Sequence, residues 1–343
     1  MPVETENPLQ DPEATTPLPN IPLSNTLSST VPTCKVILAN TIAKSLLGEV
    51  AQGLTELDFQ PKLVGFLANE DPAAQVYAEY SAKTCKENGF LFEIRTISKE
   101  DVEEAILAAN TDPSVHGIIV YYPIFPSTSR QDYYIQQLVS PSKDVEGLSH
   151  KYVFNMYQNI RFLDPPTNQH KSILPCTPLA VVKVLEHLHI YNTVIPYGNR
   201  LFGKTITVIN RSEVVGRPLA ALLANDGAHV YSIDLDGVQL FTRGTGIKNH
   251  KHEVQFKKGW ELERCLALSD VVISGVPGKN YKVDPKLIRD GAVCINFSSE
   301  KNFDTAAVKE HASIYVPAIG KVTIAVLLRN LLRLSKDNAP KSA

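Results

Sequence analysis

The stretch with the clearest chemical potential runs from Thr205 to Asp236. An apolar strand, KTITVINR, leads into the polar turn NRSEVVGRP, the helix-forming RPLAALLANDG and a second strand, AHVYSIDLD. One half of a Rossmann-type fold is built this way, and the helix start presents free N–H groups that suit a pyrophosphate. Arg211 and Ser212 add a cationic donor and a hydroxyl, Gly216 permits close backbone approach, and Pro218 suits an early helical position. The G-x-G-x-x-G fingerprint is missing, so on these residues alone a purely structural βαβ unit is the alternative. Asp234 lies about 23 residues beyond Arg211, close to where a Rossmann carboxylate grips the ribose hydroxyls. Such a carboxylate repels a 2′-phosphate, which predicts NAD over NADP. A solvated strand end is the bland alternative for Asp234, Asp236 is a less favoured candidate, and Arg211 could in principle pair with a phosphate.

Cys176 is a second candidate. It sits in the turn-prone LPCTP before the amphipathic PLAVVKVLEHLHI, where a helix dipole can lower a thiol pKa. A small residue buried in a turn is the alternative.

These residues need elements to hold them. From Cys34 onward apolar runs alternate with helical periodicity: KVILAN, TIAKSLLGEVAQGLTEL, KLVGFLA, AAQVYAEYSAKTCKENG, FLFEIRTI, DVEEAILAANTD, GIIVYYPI and DYYIQQLVS. This is the pattern of an α/β protein with a mostly parallel sheet covered by helices. A second α/β unit begins near Gly203, with SDVVISGVPG and GAVCINFSS as later strands. Residues 241–263 are polar, basic and poorly periodic and read as a surface insertion, with His250 and His252 facing solvent. TIAVLLRNLLRLSKD is an amphipathic helix able to return to the first unit.

Composition bounds the rest. The 343 residues, 43% of them hydrophobic, can bury a sizeable core in two lobes. A net charge of −2 without a long basic run argues against nucleic acid as partner. No stretch approaches the roughly 20 apolar residues that span a bilayer, so no membrane is expected. Five scattered cysteines lack metal-type spacing and suit a reducing compartment. Residues 1–34 are rich in Pro, Ser and Thr, carry acids and lack Arg, and read as a disordered tail without a targeting signal. The cytoplasm is the expected location.

Taken together, VGFLANEDPAAQVYAEYSAKTCKENGF, HGIIVYYPIF, SKDVEGLSH, SILPCTPLAVV, ITVINRSEVVGRPLAALLANDGAHVYS, DVVISGVPG and VPAIGKVTIAVLLRNLL resemble the methylenetetrahydrofolate dehydrogenase/cyclohydrolase family. The likeness runs from about residue 35 and is nearest to the fungal monofunctional NAD-dependent members. It implies two lobes around a cleft and a homodimer. Residues 35–180 would bind folate, completed by a C-terminal helix at 321–337; residues 181–320 would form the Rossmann-like NAD-binding lobe. It implies catalytic roles for Tyr77 and Cys176, and folate contacts from Tyr77, Tyr80, Ser81, Tyr121 and Glu146. Glu146 would accept hydrogen bonds from the pterin amino group and ring N–H, while Asp144 is structural. Leu235, the loop Gly275-Val276-Pro277 and the run Asn296-Phe297-Ser298-Ser299 would line the cofactor beside Arg211, Ser212, Gly216 and Asp234.

Three departures bear on the chemistry. Bifunctional members carry a Lys four residues after the Tyr; here that position is Ser81, and Lys83 lies about 200° around the helix from it. The family's Gln is Tyr121, and its second Asp is Glu146. Hydride removal leaves a cation stabilised by two nitrogens and asks chiefly for placement, whereas hydrolysis asks for positioned acid/base groups. The expected activity is therefore NAD-dependent oxidation of methylenetetrahydrofolate, polyglutamylated or not, without cyclohydrolase activity. No metal is expected. The rivals are a bifunctional enzyme using Lys83 and a non-catalytic NAD- or folate-binding regulator.

Overall fold

The computed structural model describes residues 34–126, 128–248 and 250–339. The expected tail at residues 1–34 lies outside the described residues, save for Cys34. The first part of the chain forms β1 (Lys35–Val36), α1 (Ala39–Leu54), β2 (Lys62–Leu67), α2 (Pro72–Glu87), β3 (Leu91–Thr96), α3 (Val102–Thr111), β4 (Gly117–Val120), α4 (Gln131–Leu138), α5 (His150–Tyr157) and α6 (Cys176–His187). The rest forms β5 (Thr205–Ile209), α7 (Gly216–Asn225), β6 (His229–Asp234), β7 (Gly237–Thr242), β8 (Glu253–Phe256), α8 (Leu262–Leu268), β9 (Val271–Ser274), β10 (Val293–Asn296), α9 (Val308–His311), β11 (Ile314–Val316) and α10 (Gly320–Asn338).

Two sheets result. The smaller has the order β3-β2-β4, and the larger the order β1-β11-β10-β9-β5-β6-β7-β8. All pairings are parallel except β6–β7 and β7–β8. Strands β9 and β10 are buried at every position, as helix-covered parallel strands must be. The α/β class and the two-lobed arrangement follow from these sheets.

Helix α2 shows why its tyrosines point where they do. Asp71 caps it by accepting from the Ala73 amide, and Pro72 opens its first turn. Ala74, Ala78, Ser81 and Cys85 form its buried stripe, so Tyr77 and Ser81, four residues apart, share one face. Gly89, at φ +81°, ends it in a conformation glycine adopts freely.

Helix α10 binds the two lobes. Its Val322, Ala325 and Val326 belong to the core shared with α6 and the large sheet. Leu327, Leu328 and Leu331, further along, belong to the core with Leu63 of β2 and Ile119 of β4. Truncating one of these leucines to alanine costs about 2–5 kcal/mol.

KVILAN supplies β1, whose two residues pair with β11 in the large sheet. So short a strand has no periodicity to betray its partner. Residues 241–263 are not merely a surface insertion, because β7 and β8 extend the large sheet and Phe241 is fully buried. His252 does not face solvent either. Its ring stacks on Phe241 at 5.4 Å and its backbone amide donates to Asn225 Oδ1 at 2.9 Å. Burial pushes its pKa down to about 4.

Candidate active site

The chain leaves β5 for β6 on one side and later enters β9 on the other, so β5 and β9 flank a topological switch point. Crevices outside the carboxyl ends of such strands are where α/β sheets bind ligands. The loop after β5 carries Asn210 at φ +87°, and its Nδ2 donates to the Gly275 carbonyl after β9 at 2.7 Å. Ser212 Oγ accepts from the amides of Val215 and Gly216 at 3.4 and 3.3 Å. The exposed amides of Glu213 and Val214 donate to no described residue. A Cβ at Gly216 would lie 1.8 Å from the Asn210 carbonyl oxygen, so only glycine lets α7 begin this close to the turn. Free amides at the positive end of a helix, on a backbone that approaches closely, fit a dinucleotide pyrophosphate.

Asp234 closes β6. Its carboxylate accepts from the Arg211 amide at 2.6 Å and the Leu235 amide at 2.7 Å, which leaves further lone pairs for ribose hydroxyls. The Arg211 side chain differs from expectation. It is buried and donates to Ser232 Oγ, the Ser232 and Gly237 carbonyls and Asp236 Oδ1. Four of its five donors are thus consumed inside the β6–β7 hairpin, and it is a brace of that hairpin rather than a free phosphate donor. Leu235 is fully exposed at the hairpin tip.

Of the remaining cofactor candidates, Gly275 leaves room for the Phe297 ring, which a Cβ there would meet at 1.9 Å. Asn296 is buried and donates to the Ser298, Glu300 and Pro317 carbonyls, and Ser298 donates to the Val276 carbonyl. Pro277 and Ser299 are exposed. These strand ends form one hydrogen-bonded rim.

The first lobe gathers the other candidates. The rings of Tyr77 and Tyr121 meet edge-on, with centroids 6.0 Å apart. The Ser81 hydroxyl is wholly buried and donates to the Tyr77 carbonyl at 2.8 Å, back onto its own helix. The Tyr121 hydroxyl is buried beside the Ser81 hydroxyl. Glu146 Oε2 accepts from the Val120 amide at 3.0 Å, and the Glu146 carbonyl accepts from the Cys176 amide at 3.1 Å. Gly147 makes this junction possible: at φ +71° it has backbone of Leu174 and Pro175 within 2.8 Å of any Cβ it could carry. Asp144 is buried and structural, accepting from the Gly147 and Ser149 amides at 2.8 Å. Phe297, at the end of β10, packs against the same apolar cluster as Cys176.

Electrostatics here are set by desolvation. Burial, with Asp144 nearby, pushes the Glu146 carboxyl up to about 8. Burial holds the Tyr77 and Tyr121 phenols well above their ordinary range. Cys176 corrects the expectation from the helix dipole. Burial and then Glu146 drive its pKa far upward, so the residue is a neutral thiol. The ionisable groups acting on Tyr77 are Cys176, Glu146 and Tyr121, none of them a cation.

Lys83 is exposed over 68% of its side chain and lies 3.9 Å from Glu87, one turn along the same face. Tyr80 stands apart from Tyr77: Lys321 Nζ lies 5.4 Å from the centre of its ring. Two contributors escaped sequence reasoning. Gly65 lets the Tyr121 ring approach to 3.0 Å of its would-be Cβ, and Lys321 comes from a helix start more than two hundred residues away.

Two family models match the chain: "Tetrahydrofolate dehydrogenase/cyclohydrolase, catalytic domain" over residues 37–146, and the corresponding "NAD(P)-binding domain" over residues 175–245. The chain is 61% identical over 302 residues to the methylenetetrahydrofolate dehydrogenase [NAD(+)] of Schizosaccharomyces pombe, covering 88% of this chain and 93% of that one. It is 53% identical over 312 residues to the same-named protein of Saccharomyces cerevisiae, covering 88% and 96%. The solved structure of the NAD-dependent 5,10-methylenetetrahydrofolate dehydrogenase from Saccharomyces cerevisiae superposes with a TM-score of 0.83 at 52% identity, covering 89% of this chain and 98% of that one. By these relatives and family models, the chain belongs to the tetrahydrofolate dehydrogenase/cyclohydrolase family.

Proposed function

We propose that the protein catalyses NAD-dependent oxidation of methylenetetrahydrofolate to the methenyl compound and stops there. The relatives' names support the oxidation. The observation that carries the second half is Ser81. It occupies the family's lysine position with its hydroxyl bonded to its own helix, while Lys83 faces solvent beside Glu87.

The reaction needs the bridging methylene carbon of the folate held against the nicotinamide, and NAD supplies a hydride acceptor there. Tyr77 and Tyr121 offer neutral aromatic surface to the folate rings, and Glu146 offers a carboxylate to the pterin's amino group and ring N–H. Binding those donors costs the release of the Glu146 proton at neutral pH. Cys176, a neutral thiol, positions rather than attacks, since hydride transfer requires no covalent nucleophile. A cationic product forms most easily where no lysine or arginine opposes it; no cation is among the groups acting on Tyr77, and Lys321 lies over Tyr80 instead. Hydrolysis of that product would need a proton carrier near its attacking water; Glu146 is engaged by the pterin's donors, and the neutral phenols, thiol and inward-bonded serine are poor carriers.

On the cofactor side, the Glu213 and Val214 amides would take the pyrophosphate and Asp234 the ribose hydroxyls. The folate region is taken as 35–180 with 321–337, and the dinucleotide region as 181–320. A homodimer, and polyglutamylated folate as substrate, complete the proposal.

The test is turnover. Purified protein given methylenetetrahydrofolate and NAD should generate the near-ultraviolet absorbance of reduced nicotinamide. Binding of both ligands without turnover would instead establish a regulator.

A further inference from the structure

A second cavity lies apart from the site above. A hollow of about 600 Å³ opens between the ends of α5, α6 and α7 and the second half of α10. Cys176 begins α6, whereas Lys183 and Glu186 line the hollow seven and ten residues on, about 10–15 Å along the helix axis.

Its lining is strongly cationic for a chain of net charge −2. Arg161, Lys171, Lys183, Arg200, Arg329 and Arg333 contribute to the wall, against only Glu186 and Asp226. Both acids are already committed, Asp226 to Arg161 at 2.7 Å and Glu186 to Lys183 at 2.6 Å. Arg329 reaches Glu49 only at 3.9 Å.

Three cations are left over. Lys171 and Arg333 make no hydrogen bond and no ion pair with any described residue, and Arg200 Nε is buried without an acceptor. Moreover, Arg161, Lys171 and Arg200 crowd one ring, at 4.9, 5.5 and 5.9 Å from the centre of Tyr197. Burial and the neighbouring Arg329 bring even the Arg333 guanidinium down to about 10, outweighing the opposing pull of Asp337 one turn along α10. Like charges gathered in a partly desolvated hollow are costly unless an anion joins them. Guanidinium forks favour phosphate in particular, and the volume falls in the range of pockets for nucleotide-sized molecules rather than a lone ion.

We propose that this hollow is a second ligand site, separate from the dinucleotide crevice, that binds a phosphate-bearing small molecule of nucleotide size. Arg333 and Lys171 supply the charge, and Tyr197 an aromatic face.

The experiment is calorimetric titration of ADP into the full-length protein held saturated with NAD, so that the dinucleotide crevice is filled, at constant ionic strength. Two variants accompany it, Arg333→Gln and Lys171→Gln. Each removes a cation whose side chain makes no hydrogen bond or ion pair with any described residue, so both should fold, as an unchanged NAD-linked rate without ADP would verify. The proposal expects ADP to bind the NAD-saturated protein and each variant to bind at least about tenfold more weakly, the loss of one charged hydrogen-bonded contact. Absence of ADP binding once NAD is saturating, or equal binding by both variants, would overturn it.

Discussion

Arg211 Nη1 lies 2.6 Å from Asp236 Oδ1, so the arginine that follows β5 is neutralised from within its own hairpin. The side chain of Arg211 is only 3% exposed, while that of Asp236 is 65% exposed. The pairing separates two readings of the turn that residue types alone leave open. An arginine after β5 can recruit a phosphorylated ribose; an arginine locked to an acid cannot do so cheaply.

Cofactor choice should therefore respond to Asp236. Asp236→Ala leaves Arg211 anchored by Ser232 and Gly237 and frees Nη1 toward the crevice. The ratio of kcat/KM for NADP to that for NAD should rise about tenfold, or about 1.4 kcal/mol. Asp234→Ser should move the ratio the same way by removing the nearer repulsion. Steady-state kinetics with both cofactors checks this, and an unchanged ratio in both variants would remove the carboxylates from cofactor selection.

Glu146 predicts a pH dependence with a definite sign. The free protein holds its carboxyl at about 8, and folate binding favours the ionised form. Below that pKa, apparent folate affinity should rise about tenfold per pH unit, levelling off above it, with one proton released per folate bound. Stability runs the other way. The folded state keeps the proton to higher pH than the unfolded chain, so this group's contribution falls as pH rises from about 4.5 to about 8. Glu146→Gln should flatten the affinity profile, weaken folate binding and raise Tm at alkaline pH. Binding titrations across pH, beside thermal melts, measure both.

Cys176 should behave as a buried thiol. Its alkylation by iodoacetamide at neutral pH is expected to be much slower than that of a free thiol, because little thiolate is present. Cys176→Ala should keep measurable hydride-transfer activity, with a loss of about tenfold at most rather than the thousandfold or more of a lost nucleophile. Rates for the variant and labelling by mass spectrometry decide the matter.

How much of this was legible in the sequence depended on periodicity. The β5–α7–β6 unit was readable because two apolar strands bracket an amphipathic helix, and α2 because its stripe and Gly89 fixed its register. The two-residue β1 carried no such pattern, and β7–β8 were hidden because a polar stretch separates them and all four residues of β8 are exposed. Residue type pointed to Arg211 and Cys176 but misjudged their state. Whether Asp236 consumes a charge, or burial outweighs a helix dipole, depends on neighbours that pattern does not reveal. The cationic hollow was invisible for the same reason, since its walls come from residues between Asn155 and Arg333 that no motif links.

The central claim is that Ser81 ends the chemistry at the methenyl compound, and product partitioning tests it most directly. Reactions with methylenetetrahydrofolate and NAD, stopped at intervals and resolved chromatographically, should show methenyltetrahydrofolate rising in step with reduced cofactor. Formyltetrahydrofolate should form no faster than without enzyme. Formyl product whose rate scales with enzyme concentration would contradict the account.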